Sequence, residues 1–445
     1  MAKEQDRYLA DFARFTTEGS VTAPFWVSQL RSAALSRFAT LGFPTVRQEE
    51  WKYTNIAPLT KIPFALPALE RNGGSRNRRG PIILGDVACA QLVFVNGRYA
   101  PALSSVRSLP QGVRVGSLAA VLQAEPQAVE PHVARYAGYQ DQAFVALNTA
   151  FLEDGAFVSV SRGVILEAPL QLLFISTAQV EPTVSYPRTL LLVGPDSQAT
   201  IVESYIGFEN DVYFTNAVTE VIAGAHAVID HYRLQLESPQ AFHIGTVQVH
   251  QERSSTVVSH SIALGGALVR HDINSILDGE GSECTLNGLY MVTGQQHVDH
   301  HTRIDHVKAH CTSRELYKGV LDGKSRGVFS GKIVVHKSAQ KTDATQTNKN
   351  LVLSSDAVID SKPQLEIFNN DVQCTHGSTI GELDADALFY LRARGIDVEA
   401  ARTLLTYAFV SDVLSRLKIP LLRDQLEAHL FAQIQASRVK ERAIP

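Results

Sequence analysis

Cysteine is scarce and scattered in this sequence. Among 445 residues only Cys89, Cys284, Cys311 and Cys374 carry thiols, and no C-x-x-C pair occurs. That usage argues against a disulfide framework and fits free thiols in a reducing compartment. A basic excess is missing too: 41 Lys and Arg stand against 45 Asp and Glu, which argues against a nucleic-acid partner. No uncharged run approaches the ~18–20 residues of a membrane span. The opening MAKEQDRYLADFARF shows no apolar stretch followed by a small-residue cleavage site. The expected location is therefore the cytoplasm, with no membrane partner.

A genuine phosphate loop is also missing. Gly319-Val320-Leu321-Asp322-Gly323-Lys324-Ser325 is one residue short of G-x-x-x-x-G-K-S and lies between strand-like segments, so it reads as a turn. Outside one His-rich strand there is no compact Asp/Glu cluster. This weighs against a carbohydrate-active enzyme working through paired carboxylates.

What is present describes a globular chain, 45% hydrophobic and 19% charged, long enough for about three domains. Residues 1–79 read as a helical region ending in the polar, Gly-punctuated run 70–80. Ser28 to Thr40 carries Leu30, Ala34, Leu35 and Phe38 near the helical period, and Gly42 stops it. Residues 80–380 change character, with short Val/Ile/Thr alternations between polar turns. Segments starting at Ala199, Ala227, Thr256 and Cys284, with second anchors at Val221, Val249, Ile276 and Ile304, repeat every 27–29 residues, loosening through Val334 and Leu365. Two strands per unit without a crossover helix predict a solenoid. Residues 381–445 turn helical again, with Asp384 and Asp397 as caps and Gly395 as a stop, and are expected to cover the last rung. The fold expected is mainly β: a right-handed parallel β-helix flanked by N-terminal and C-terminal α-helical domains.

Cys374 and His376 stand where strand gives way to helix. On an extended segment they project to one side. A soft sulfur beside a borderline nitrogen suits iron or an iron–sulfur unit, but two ligands are too few. A plain alternative is a small buried thiol beside a capping histidine. The segment His297–His306, followed by His310 and Cys311, is the densest metal-like cluster. There His300, Thr302, Ile304 and His306 share one strand face, read either as buried neutral histidines or as a metal site at His300 and His306. The apolar-poor run Lys337–Asn350 reads as an outward polar ladder or a contact surface. With no Pro from Ala339 to Leu353, an open edge is expected there.

Several segments together resemble one family: Arg47-Gln48-Glu49-Glu50-Trp51-Lys52-Tyr53-Thr54, Leu147-Asn148-Thr149-Ala150-Phe151, Gln340-Lys341-Thr342-Asp343-Ala344, Lys362-Pro363-Gln364-Leu365-Glu366-Ile367, and Cys374-Thr375-His376-Gly377. They resemble the SufB/SufD family of iron–sulfur cluster assembly proteins, from about residue 20 to about 435. Cys374-Thr375-His376 stands where the SufB branch is expected to carry Glu-His-Glu, which places the likeness nearer the SufD branch.

The resemblance implies a non-catalytic scaffold in a complex of SufB, SufD and the ATPase SufC. β-Helix edges of SufB and SufD would pair, and the C-terminal helices would dock SufC. His376, and less directly Cys374, would be ligands of a transient iron–sulfur cluster or iron shared with SufB. A reduced flavin in the complex is also implied, though no G-x-G-x-x-G follows a strand here. A homodimer of the isolated chain is a further possibility that the sequence leaves open, as is a stand-alone metal-binding protein built on residues 297–311.

Overall fold

The computed structural model describes residues 2–19, 23–67, 82, 84–107, 109–178 and 181–442. The polar run 70–80 lies outside them. Alternating apolar residues build a parallel β-solenoid of about 8 turns, each giving one strand to each of two sheets. The later strands of the first sheet are Val228–Leu236, Thr256–Ala263, Glu283–Val292, Thr312–Leu321, Asp343–Val352 and Gln373–Gly381. Those of the second are Phe242–Gln251, Leu268–Leu277, His297–His306, Arg326–Val335 and Val358–Ile367. Gly319 to Ser325 spans a strand end and a turn, with Gly323 at φ 65°, and opens no helix.

The observed register corrects two repeat anchors. The inward column runs Val221, Val249, Ser275, Ile304, Ile333, Leu365, so Ile276 and Val334 each sit one residue off it. The inward position is polar at Ser275, whose hydroxyl donates to Gln251 Oε1 at 3.0 Å, and the neighbouring apolar residue draws the periodic reading away.

Helices Ala385–Ala393, Val398–Leu414 and Pro420–Arg442 follow the last strand. Asp384 Oδ1 accepts from the amides of Asp386 and Ala387, and Asp397 Oδ1 from those of Glu399 and Ala400. Gly395, at φ 85°, supplies the left-handed residue after the first of them. The helices do not cover the last rung as expected. Val410, Val413, Leu414, Leu422, Leu426 and Leu430 pack on the outer face of the first sheet, against Val202, Leu234, Ile262, Leu289 and Val320. The physical reason is the larger apolar area on the sheet's flank than at its end.

On the opposite flank, helix Phe25–Leu41 buries Val27, Ala34 and Phe38. The segment after it straps onto the second sheet. Trp51 lies 3.8 Å from the Arg270 guanidinium, Thr54 donates to Asp299 Oδ2 at 2.6 Å, and the Glu50 carbonyl accepts from Arg270 at 2.6 Å.

A second correction concerns Ala339 to Leu353. Strand Asp343–Val352 is no edge: it pairs with Thr312–Leu321 on one side and Gln373–Gly381 on the other. Gln346, Asn348 and Asn350 turn inward and are buried, so only the alternate positions form an outward polar face. Among the described residues no helix is long and apolar enough to cross a membrane.

Candidate functional site

The solenoid ends in an uncovered rung. Its strands, Val358–Ile367 and Gln373–Gly381, each pair on one side only. Gln373 donates its amide to Thr342 O, while Val358 and Phe368 donate theirs to Ser325 O and Val335 O. Backbone groups alternate along a strand. The amides of Cys374, His376, Ser378 and Ile380 therefore face the open edge of the first sheet, and those of Ile359, Ser361, Leu365 and Ile367 face that of the second. Pro363 falls in the outward series of the second sheet, where it costs its own ladder nothing and removes one open donor.

Side chains at the same positions point into the solenoid. Leu365 and Cys374 pack against Ile333, Val335, Ala339 and Ala344. Ser361 Oγ donates to Asn348 Oδ1 and meets Ser378 Oγ, each at 2.8 Å. His376, between Cys374 and Ser378, stands in register with Gln346 and is exposed. Burial raises the Cys374 thiol pKa, opposed by a backbone hydrogen bond at Ala344, so the group is a protonated thiol near neutrality. Cys374 and His376 thus share the inward face at the open end as a two-donor mouth, and the same last rung leaves Val358, Ile367, Phe368 and Ile380 exposed. Among the described residues no three His, Cys, Asp or Glu gather to hold a metal ion.

The His-rich strand is divided between two environments. His300 and His306 are buried inside, away from the mouth, and burial lowers both pKa values to about 4. His300 packs among His271, Tyr290 and Tyr317, and His306 Nε2 lies 2.9 Å from Ser313 Oγ. His301 faces outward, with Asp299 and Glu50. The structure therefore does not bring His300 or His306 together with Cys374 and His376. Nor does it form a glycine-rich turn opening a helix over a strand end, so a flavin pyrophosphate finds no such cradle among the described residues.

Sequence reading passed over what lies behind the mouth. Glu315, Gln346 and His376 occupy one column on successive rungs. Gln346 Nε2 donates to Glu315 Oε2 at 2.7 Å. The available signal was alternation: these positions share parity with the inward column.

Residues 174–409 match the family described as "SUF system FeS cluster assembly, SufBD core domain", and residues 2–172 match "SufBD protein N-terminal region". The chain is 33% identical to the iron–sulfur cluster assembly protein SufD of Escherichia coli, covering 89% of this chain and 90% of that protein. It is likewise 33% identical to an iron–sulfur cluster assembly SufBD family protein of Synechocystis sp., over 89% and 88% of the two chains. Identity to SufD of Bacillus subtilis is 26%, over 94% and 95%. The chain belongs to the SufB/SufD family of SUF-system iron–sulfur cluster assembly proteins.

Proposed function

We propose that this chain is a cytoplasmic, non-catalytic scaffold whose open last rung pairs with the corresponding rung of a SufB solenoid. Iron or a nascent cluster is the cargo held at that seam. The observation that carries this reading is the coincidence of two uncovered strand edges with a two-donor mouth at Cys374 and His376. Unpaired edges attract strands, and two donors become a sufficient set only when a second chain adds thiolate or imidazole. Nucleotide hydrolysis falls to SufC, which docks on the exposed Phe389, Tyr390 and Leu404 of the C-terminal helices.

The test is His376→Ala in the assembled complex. Co-purification with SufB and SufC should persist while cluster maturation in cells stops. Normal maturation with this variant overturns the ligand role.

A further inference from the structure

Behind the mouth the solenoid encloses polar atoms that no protein group satisfies. Glu315 Oε1, Gln346 Oε1, Thr302 Oγ1 and Tyr317 OH are all buried without a hydrogen-bond partner. A buried orphan of this kind is costly, so a cluster of them calls for water. Along the column a single rung, that of Gln346, separates Glu315 from His376 at the open end. Space for Gln346 is kept by Gly331 opposite, where a Cβ would collide with the Gln346 amide nitrogen.

We propose that Glu315 is a proton-exchanging group serving the mouth: its carboxylate accepts, through water admitted at the open end, the proton that leaves a thiol when a metal binds there. The proton passes from Sγ to the Glu315 carboxylate, a metal–sulfur bond replaces the S–H bond, and no electrons change hands. This role presupposes the cluster-holding mouth proposed above, but the ionisation of Glu315 does not.

The surroundings suit such a group. Burial lifts the Glu315 pKa to about 7, against the pull of the nearby Thr302 hydroxyl and the hydrogen bond from Gln346. The rung below offers Leu286 in register and the Cys284 thiol beside it, whose own pKa burial raises to about 12. The facing strand offers Thr302, with His300 and His306 held neutral by burial, and the same strand offers Tyr317, likewise neutral. No cation is among these neighbours, so the carboxylate is not locked in a salt bridge and can gain or lose its proton near neutrality.

The experiment uses the full chain carrying carboxyl-labelled glutamate, followed by NMR from about pH 5 to about pH 9. One glutamate carboxyl should titrate near neutrality and vanish in Glu315→Gln, which keeps the shape and the bond to Gln346. In Gln346→Leu the midpoint should rise by about one unit, the equivalent of one lost hydrogen bond. In parallel, the alkylation rate of Cys374, followed on its own peptide by mass spectrometry, should show a break at the Glu315 midpoint that Glu315→Gln removes. The absence of any glutamate titrating in that range overturns the assignment, as do superimposable Cys374 profiles for the two proteins. Normal maturation in His376→Ala with both readouts intact would remove the cargo and leave the proton exchange standing.

Discussion

Ser361 Oγ and Ser378 Oγ stand 2.8 Å apart, so the two strands of the last rung meet inside the open end and hold it in shape without a cover. The rung is thus ordered from within while its outer edges stay free for pairing. Alternation of the backbone makes this separable by single substitutions. Ile380→Pro removes an amide that faces outward, whereas Thr379→Pro removes one from the chain's own ladder. The Ile380→Pro chain should unfold in urea close to wild type and lose capture of SufB. Thr379→Pro should cost roughly 1–3 kcal/mol of stability. Equal capture by wild type and Ile380→Pro would move the interface off this edge.

Pro363 invites the opposite experiment. Pro363→Ala would add an outward donor to the second sheet's edge and leave the ladder to Arg326–Val335 intact. Association with SufB should tighten, by roughly 0.5–1.5 kcal/mol if the new amide finds a partner carbonyl. An unchanged dissociation constant would mean that the partner strand bypasses this position.

The C-terminal helices need point changes, because their removal would strip an apolar sheet face and unfold the chain. Phe389 and Tyr390 are 74% and 57% exposed on helix Ala385–Ala393, so neither is spent on the core. Phe389→Ala with Tyr390→Ala should leave thermal unfolding nearly unchanged and weaken SufC capture at least tenfold, since large exposed aromatics are the usual anchors of such contacts. Capture at wild-type strength would place the dock elsewhere.

Asn148 illustrates how much of a family segment can be structural. It lies in Leu147-Asn148-Thr149-Ala150-Phe151, and its amide donates to Pro187 O and Asn216 O while its oxygen accepts from Arg188. Arg188 in turn donates to Glu220 Oε1 at 2.6 Å, and Glu220 also accepts from the amides of Ala134, Tyr136 and Ala137. Both side chains are essentially without exposure. Arg188→Ala should therefore destabilise by roughly 3–5 kcal/mol in urea unfolding, because it leaves a buried carboxylate without its cation. A loss below about 1 kcal/mol would mean that the three amides alone satisfy Glu220.

The solenoid was legible because its repeat survives in apolar alternation, and the helix limits because Asp384, Gly395 and Asp397 carry local capping chemistry. Strand order at the end was not legible. Thr, Gln and Asn on Asp343–Val352 read as an outward edge, yet Gln346, Asn348 and Asn350 are buried because the solenoid interior at this level is polar. Local composition does not distinguish a polar interior column from a solvated one; parity with the inward Ala344 on the same strand and register with Glu315 and Tyr317 do. For the same reason Cys374 and His376 were visible as a pair, whereas the column behind them was not.

The strap formed by the residues around Trp51 should be sensitive to pH through His301. Its Nδ1 lies 3.3 Å from Glu50 Oε2 on the strap, and its Nε2 lies 3.1 Å from Asp299 Oδ1 on the sheet. Burial and the nearby Arg270 oppose a charge on the imidazole, but Asp299 and Glu50 outweigh them and raise its pKa. The hydrogen bond to His301 in turn holds Glu50 down to about 2 against partial burial, so that carboxylate stays ionised across the working range. A group whose folded pKa is raised contributes fully below its unfolded value, about 6.5 for histidine, and loses that contribution as pH climbs through the folded value. Each unit of the rise is worth about 1.4 kcal/mol. The stability difference between wild type and His301→Gln should thus be largest at or below about pH 6 and shrink at alkaline pH. Hydrogen exchange across Arg47 to Thr54, corrected for its intrinsic pH dependence, should rise in the same window in wild type alone. A difference constant across that range would mean that His301 stays neutral and that Trp51, Thr54 and Arg270 hold the strap without it.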